Sequence, residues 1–115
     1  MIGIGIDIVE NCRINKLYQK FGNKFLEKIL TQEEREIFIR KSNKVEFISG
    51  RLSAKEAFFK ATNKKFVSFQ DIGIINDRNG IPFVIIKNKN INYKTISVSI
   101  SHSSTHTVAV CVIEY

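Results

Sequence analysis

Two carboxylates, Asp7 and Glu56, the ammonium of Lys60 and the imidazole of His102 are the groups in this sequence best suited to moving protons or stabilising charge. Glu56 and Lys60 stand four residues apart, one turn of a helix, with Lys55 beside them. Taken alone, that spacing is also the signature of an exposed helix pair worth about 0.2–0.5 kcal/mol. Asp7 is a lone carboxylate in an apolar run next to Gly3 and Gly5, where a backbone or a ligand can approach closely. It can equally serve as a negative charge ahead of the positive end of the next helix. His102 lies among hydroxyl residues, Ser101 to Thr105, as a loop residue satisfied by its neighbours or as a catalyst; His106 carries a weaker signal. Gly3 and Gly5 open a Gly-x-Gly pattern, but no third glycine begins the following helix, which excludes a dinucleotide-binding fingerprint, and no P-loop is present.

The elements that must position these groups can be read from periodicity. Ile2, Ile4, Ile6 and Ile8 alternate with Gly3, Gly5, Asp7 and Val9, a half-buried strand with the isoleucines on the core face and Asp7 pointing away from it. Asn11 is placed to cap a helix through Ile14, Leu17, Tyr18 and Phe21, which Gly22-Asn23 ends. Phe25-Leu26 and Ile29-Leu30 predict a further turn or two. Thr31-Gln32-Glu33-Glu34 has the capping-box form and opens a helix toward Arg40. From Val45 to Ala61 a helix carries Phe47, Ala54, Phe58 and Ala61 on its core stripe, with Glu56 and Lys60 on a polar ridge nearly opposite. Strands follow at 71–75, 83–87, 95–101 and 107–113, the first two joined by a turn at Asn79-Gly80. The order predicts one α+β domain over residues 1–115, an antiparallel sheet packed against helices.

Composition bounds the function. A chain of 115 residues encloses one core. It has 43% hydrophobic and 25% charged residues, no membrane-length apolar run and no secretory leader, so a cytoplasmic protein without a membrane partner is expected. Cys12 and Cys111 lack metal-site spacing. The net charge of +7 predicts attraction to an anionic partner: nucleic acid, an anionic membrane surface, a phosphorylated cofactor or an acidic protein.

Gly5-Ile6-Asp7, Lys55-Glu56-Ala57-Phe58-Phe59-Lys60 and Ser99-Ile100-Ser101-His102-Ser103, in that order, resemble the three motifs of the 4′-phosphopantetheinyl transferases, in particular the short single-domain branch. Arg13, Arg51-Leu52-Ser53-Ala54, Phe69-Gln70-Asp71-Ile72 and Asn79-Gly80-Ile81-Pro82 extend the resemblance over nearly the whole chain. It implies transfer of phosphopantetheine from coenzyme A to a serine of an acyl carrier protein, with Mg²⁺ on Asp7 and Glu56. Mg²⁺ takes one or two carboxylates plus phosphates and water, so no larger acidic cluster is needed. By the same resemblance Lys60 stabilises charge on the departing oxygen, while Arg51, Lys55, Ser101 and His102 contact coenzyme A. The base is open among Glu56, Asp7 and a water on the metal. Arg13, Lys16, Lys20 and Lys24 would form a basic face for the acidic carrier. The branch further implies a homotrimer in which His102 reaches the site of a neighbouring copy. Two departures stand out: Leu52 replaces a usual aromatic, which bears on substrate affinity, and the tail after Val112 is short.

Two other classes fit parts of the sequence. A nucleic-acid-binding domain would use Phe66 and Phe69 beside Lys64 and Lys65, but the basic residues are dispersed and no binding motif accompanies them, so no nucleic-acid partner is expected. A noncatalytic scaffold would leave Asp7, Glu56 and Lys60 without a task.

Overall fold

The alternation of isoleucine and glycine forms a nine-residue strand, β1 (Ile2–Glu10), in the computed structural model, which describes residues 1–62 and 68–115. β1 pairs antiparallel with β5 (His106–Glu114), which pairs antiparallel with β4 (Thr95–His102), giving a three-stranded sheet in the order β1-β5-β4. β2 (Ile72–Asn76) and β3 (Pro82–Ile86) form a separate two-stranded hairpin, so the expected single sheet is two antiparallel sheets. Gly80, at φ 80°, makes the hairpin turn, a conformation that glycine adopts without strain.

Four helices join these sheets: α1 (Asn11–Phe21), α2 (Asn23–Ile29), α3 (Gln32–Ile39) and α4 (Lys44–Thr62). α4 is central. On one side Ala54, Ala57, Phe58 and Ala61 pack with Ile72, Ile74, Ala109 and Ile113. On the other, Phe47 and Ile48 join Ile14, Leu26, Leu30 and Phe38 under the smaller helices. Each large apolar side chain buried this way contributes about 1.5–3 kcal/mol. The single core stripe expected for α4 is therefore too narrow, because Arg51 and Lys55 are buried as well. A 3₁₀ turn, Phe69–Asp71, precedes β2.

Two local expectations hold. Gly22 ends α1 at φ 56°, its N–H donating to the Tyr18 carbonyl. At α3 the Thr31 hydroxyl accepts from the Glu34 N–H, and Glu34 Oε1 accepts from the Thr31 N–H.

Two others are corrected. Asn11 is the first residue of α1, with Glu10 at the cap position. Its side chain is engaged elsewhere, donating to the Ser103 carbonyl and accepting from the Thr107 hydroxyl. The faces of β1 are also reversed: Ile2, Ile4, Ile6 and Ile8 are 61–67% exposed, while Gly3 and Gly5 face α4. The cause is steric. A Cβ on Gly5 would lie 1.8 Å from the Ala57 carbonyl oxygen, and one on Gly3 would lie 2.0 Å from that of Ala61. Only a strand without side chains on this face lets the helix settle so close. Cys12 is exposed on α1, and Cys111 is buried opposite Gly5, where burial pushes its thiol up to about 11.

Candidate active site

Asp7 follows the two glycines on the same face of β1, so the close approach that α4 makes to Gly3 and Gly5 carries its polar side chains up to the Asp7 carboxylate. Lys60 Nζ donates to the Ile6 carbonyl at 2.9 Å and to Asp7 Oδ1 at 3.3 Å. Glu56, one turn earlier on α4, lines a cleft together with Asp7, Arg13 and Leu17 of α1, and Leu52. Partial burial, then the Asp7 carboxylate, raise the Glu56 pKa above its ordinary 4.5, and Lys60 opposes them. Two carboxylates from distant parts of the sequence thus meet in one cleft, and the Lys60 ammonium rests on one of them. Glu10 and His106, which pair across β1 and β5, also line it. Sequence reasoning passed over Glu10 and gave His106 only a weak signal, and the adjoining ends of those two strands were the signal available.

His102 stands apart from this cleft within the chain, in a second hollow with Asn43 and Glu46. Thr107 gives its hydroxyl proton to Asn11, so Nδ1 of His102, 2.9 Å from the same hydroxyl, must be the donor in that contact. Nε2 then faces Glu46 at 3.9 Å and bridges to it when the ring is protonated. Ser101, the preceding residue, pairs with Val108 and lies on the opposite, outward face of the sheet, so it does not converge with His102.

Arg51 and Lys55 point inward. Arg51 donates to the Ile74 carbonyl and to Asn76 Oδ1, its guanidinium stacked over the Phe47 ring at 4.4 Å. Lys55 is fully buried and donates to Glu34, Ile29 and Phe69. Burial lowers the pKa of both, against the pull of Glu34. In this placement all three ammonium protons of Lys55 are used inside the protein. Arg13, Lys16, Lys20 and Lys24 are exposed, as a docking face requires. Lys24 and Lys28 flank an apolar groove of Phe21, Phe25 and Phe69 that shares Leu17 and Leu52 with the cleft. Lys64, Lys65 and Phe66 lie outside the described residues, and Phe69 packs on Phe59 with ring centroids 5.3 Å apart.

The family model of the 4′-phosphopantetheinyl transferase superfamily matches residues 3–111. The chain belongs to that superfamily. It is 50% identical over 119 aligned residues, 99% of this chain and 97% of the relative, to a holo-(acyl-carrier-protein) synthase of Geobacillus sp. strain WCH70. A crystal structure of such a synthase from Bacillus anthracis, in complex with CoA (3′,5′-ADP), matches at TM-score 0.84 and 42% identity, covering 97% of this chain and 95% of that one. The synthase of Neisseria meningitidis matches at TM-score 0.93 and 35% identity over the full length of both chains.

For a phosphopantetheinyl transferase, the pair Asp7 and Glu56 fits a hard divalent cation. Among the described residues there is no group of three or more His, Cys, Asp or Glu able to hold a metal. A cation here would therefore complete its shell with substrate oxygens and water, as Mg²⁺ does. Burial first and the Asp7 carboxylate second raise the proton affinity of Glu56, and a cation held between the two carboxylates would offset the second of these.

Proposed function

We propose that the chain is a holo-(acyl-carrier-protein) synthase, one domain spanning residues 1–115. It transfers 4′-phosphopantetheine from coenzyme A to a serine of an apo acyl carrier protein, releasing 3′,5′-ADP and supplying holo carrier for fatty acid biosynthesis. The observation that carries this reading is the meeting of Asp7 and Glu56 in one cleft, with Lys60 on Asp7 and an exposed basic helix face beside them, in a chain of this superfamily.

The serine oxygen forms a bond to the phosphorus bearing pantetheine as the bond from that phosphorus to the bridging pyrophosphate oxygen breaks. 3′,5′-ADP leaves with that oxygen, and the serine proton passes to a base in the cleft, for which Asp7 and Glu56 are this chain's candidates. Asp7 and Glu56 would hold Mg²⁺, which when bound would supply Lewis-acid stabilisation of charge on the pyrophosphate. Lys60, 56% exposed and held by the Ile6 carbonyl at 2.9 Å and Asp7 at 3.3 Å, keeps a third ammonium proton to offer the departing oxygen, and its exposed pairing with Asp7 contributes at most about 1 kcal/mol. Arg13, Lys16, Lys20 and Lys24 draw the acidic carrier to the edge of the cleft, and the adjoining groove receives its apolar side chains.

Assembly is part of the proposal. Ile2, Ile4, Ile6 and Ile8 share the outward face of the sheet with Val108, Val110 and Val112, an apolar patch that marks an interface. Burying it in a homotrimer brings Ser101 and His102 of one copy toward Asp7 and Glu56 of the next, and with them the coenzyme A phosphates. The protein acts in the cytoplasm, and no helix among the described residues is long and apolar enough to cross a membrane.

Incubation of the protein with apo carrier, coenzyme A and Mg²⁺ tests the reading. Mass spectrometry is expected to show the carrier gaining one phosphopantetheine, and EDTA to prevent it. No gain with several folded apo carriers would overturn the assignment.

A further inference from the structure

Glu34 and Lys55 form an ion pair with 1% and 0% of their side chains accessible, whereas every other ion pair among the described residues has an exposed partner. Lys55 Nζ donates to Glu34 Oε1 at 2.6 Å, to the Ile29 carbonyl at 2.7 Å and to the Phe69 carbonyl at 2.9 Å. An ammonium has three protons, so its capacity is filled. Glu34 Oε1 also accepts from the Thr31 N–H, and Oε2 accepts from the Ile74 N–H at 2.8 Å. The cage therefore ties α4 to the end of α2, the start of α3, the 3₁₀ turn and β2.

Apolar side chains of similar volume often give as much stability as a buried ion pair, because desolvation offsets the attraction. What apolar packing cannot give is a fixed direction. Glu56 is the next residue along α4, and the residue after it, Ala57, presses its carbonyl onto Gly5 from the β1 side. The helix is thus held at 55 by hydrogen bonds and at 57 by contact with β1, and Glu56 lies between the two holds with its carboxylate toward the cleft.

We infer that Glu34 and Lys55 are positioning residues that set the rotation of α4 so that the Glu56 carboxylate stands beside Asp7, and that Lys55 does not touch coenzyme A. This rests on the reading of Asp7 and Glu56 as the cation-binding pair.

Mn²⁺ titrated by electron paramagnetic resonance, in the presence of coenzyme A without carrier, reads the position of the pair without turnover. Lys55→Met and Glu34→Gln are expected to weaken Mn²⁺ binding about tenfold, with coenzyme A affinity at saturating Mn²⁺ unchanged. The double variant E34Q/K55M, which leaves no unpaired buried charge, is expected to recover much of the melting temperature lost by the single variants while Mn²⁺ binding stays weak; should the singles fail to fold, it alone decides. Loss of coenzyme A affinity with Mn²⁺ binding intact would make Lys55 a phosphate ligand and overturn the inference. A lowered melting temperature with both affinities unchanged would reduce the pair to a structural role and also overturn it. Asp7→Asn serves as the control: if it binds Mn²⁺ as tightly as the wild type, the cation-site reading itself falls, and the inference with it.

Discussion

Glu56 holds its proton more tightly than a free glutamate because it is partly buried and faces Asp7, with Lys60 pulling the other way. The sign of the consequence follows. Its folded pKa lies above 4.5, so the folded protein binds the proton more strongly than the unfolded chain, and stability falls as pH rises from 4.5 through the folded value. Glu56→Gln removes that penalty. It is expected to raise the melting temperature of the metal-free protein at pH 7, with the gap closing as the pH is brought below 4.5, while transfer falls about 10²–10³-fold. Calorimetry from pH 4 to 8 and a carrier assay read the two effects. At this scale the sequence was informative about identity and poor about direction. Asp7, Glu56 and Lys60 come together as their motifs suggested. Lys55 does not join them, because helical spacing tells which residues share a side and not what packs over that side.

At the scale of elements, the decisive contact is backbone against backbone, β1 against α4. Gly5→Ala puts a methyl 1.8 Å from the Ala57 carbonyl oxygen, which cannot yield without moving the helix. Overpacking of this kind costs about 1–3 kcal/mol or more, and a urea midpoint will read it. Activity should fall with it, since Glu56 adjoins the residue displaced. The period of β1 could be read from the sequence, but its orientation could not: alternation separates two faces and does not say which one a helix will cover. The apolar face looked like the core, yet the bare face is the one a helix can approach within van der Waals distance. The α3 capping box was readable because its partners are three residues apart. Asn11 was not, because its side-chain partners lie 92 and 96 residues away.

For the whole molecule, the charge of +7 and the exposed isoleucines point to two kinds of partner. Reversing charge at Lys16, Lys20 and Lys24 to Glu is expected to lower kcat/KM for the carrier tenfold or more, with coenzyme A affinity unchanged, because electrostatic steering changes encounter rates by about 10–10³-fold. The wild-type value should fall as salt is raised, and that of the reversed variant should not. If the chain assembles as the proposed trimer, Ile4→Lys with Ile6→Lys is expected to leave only monomers in light scattering, with circular dichroism preserved, since both side chains already point to solvent in the single chain. On that proposal transfer would be lost as well, because the proposed meeting of Asp7 and Glu56 with His102 of a neighbouring copy requires the assembly. The net charge was plain from composition; the apolar patch was not, because it exists only once β1 and β5 are paired.

The crowding of β1 by α4 also bears on how the chain avoids misfolding. Ile2-Gly3-Ile4-Gly5-Ile6 repeats every two residues, so a slip of two along β5 would keep every isoleucine outward and could trap the strand out of place. The helix forbids it in both directions. One slip carries Asp7 into the place of Gly5, against the Ala57 carbonyl; the other carries Met1 into the place of Gly3, against that of Ala61. A slip of one would press isoleucines onto the same oxygens. The residues flanking the repeat therefore act as stops, and the aspartate proposed to serve the reaction also ensures that it arrives in only one place.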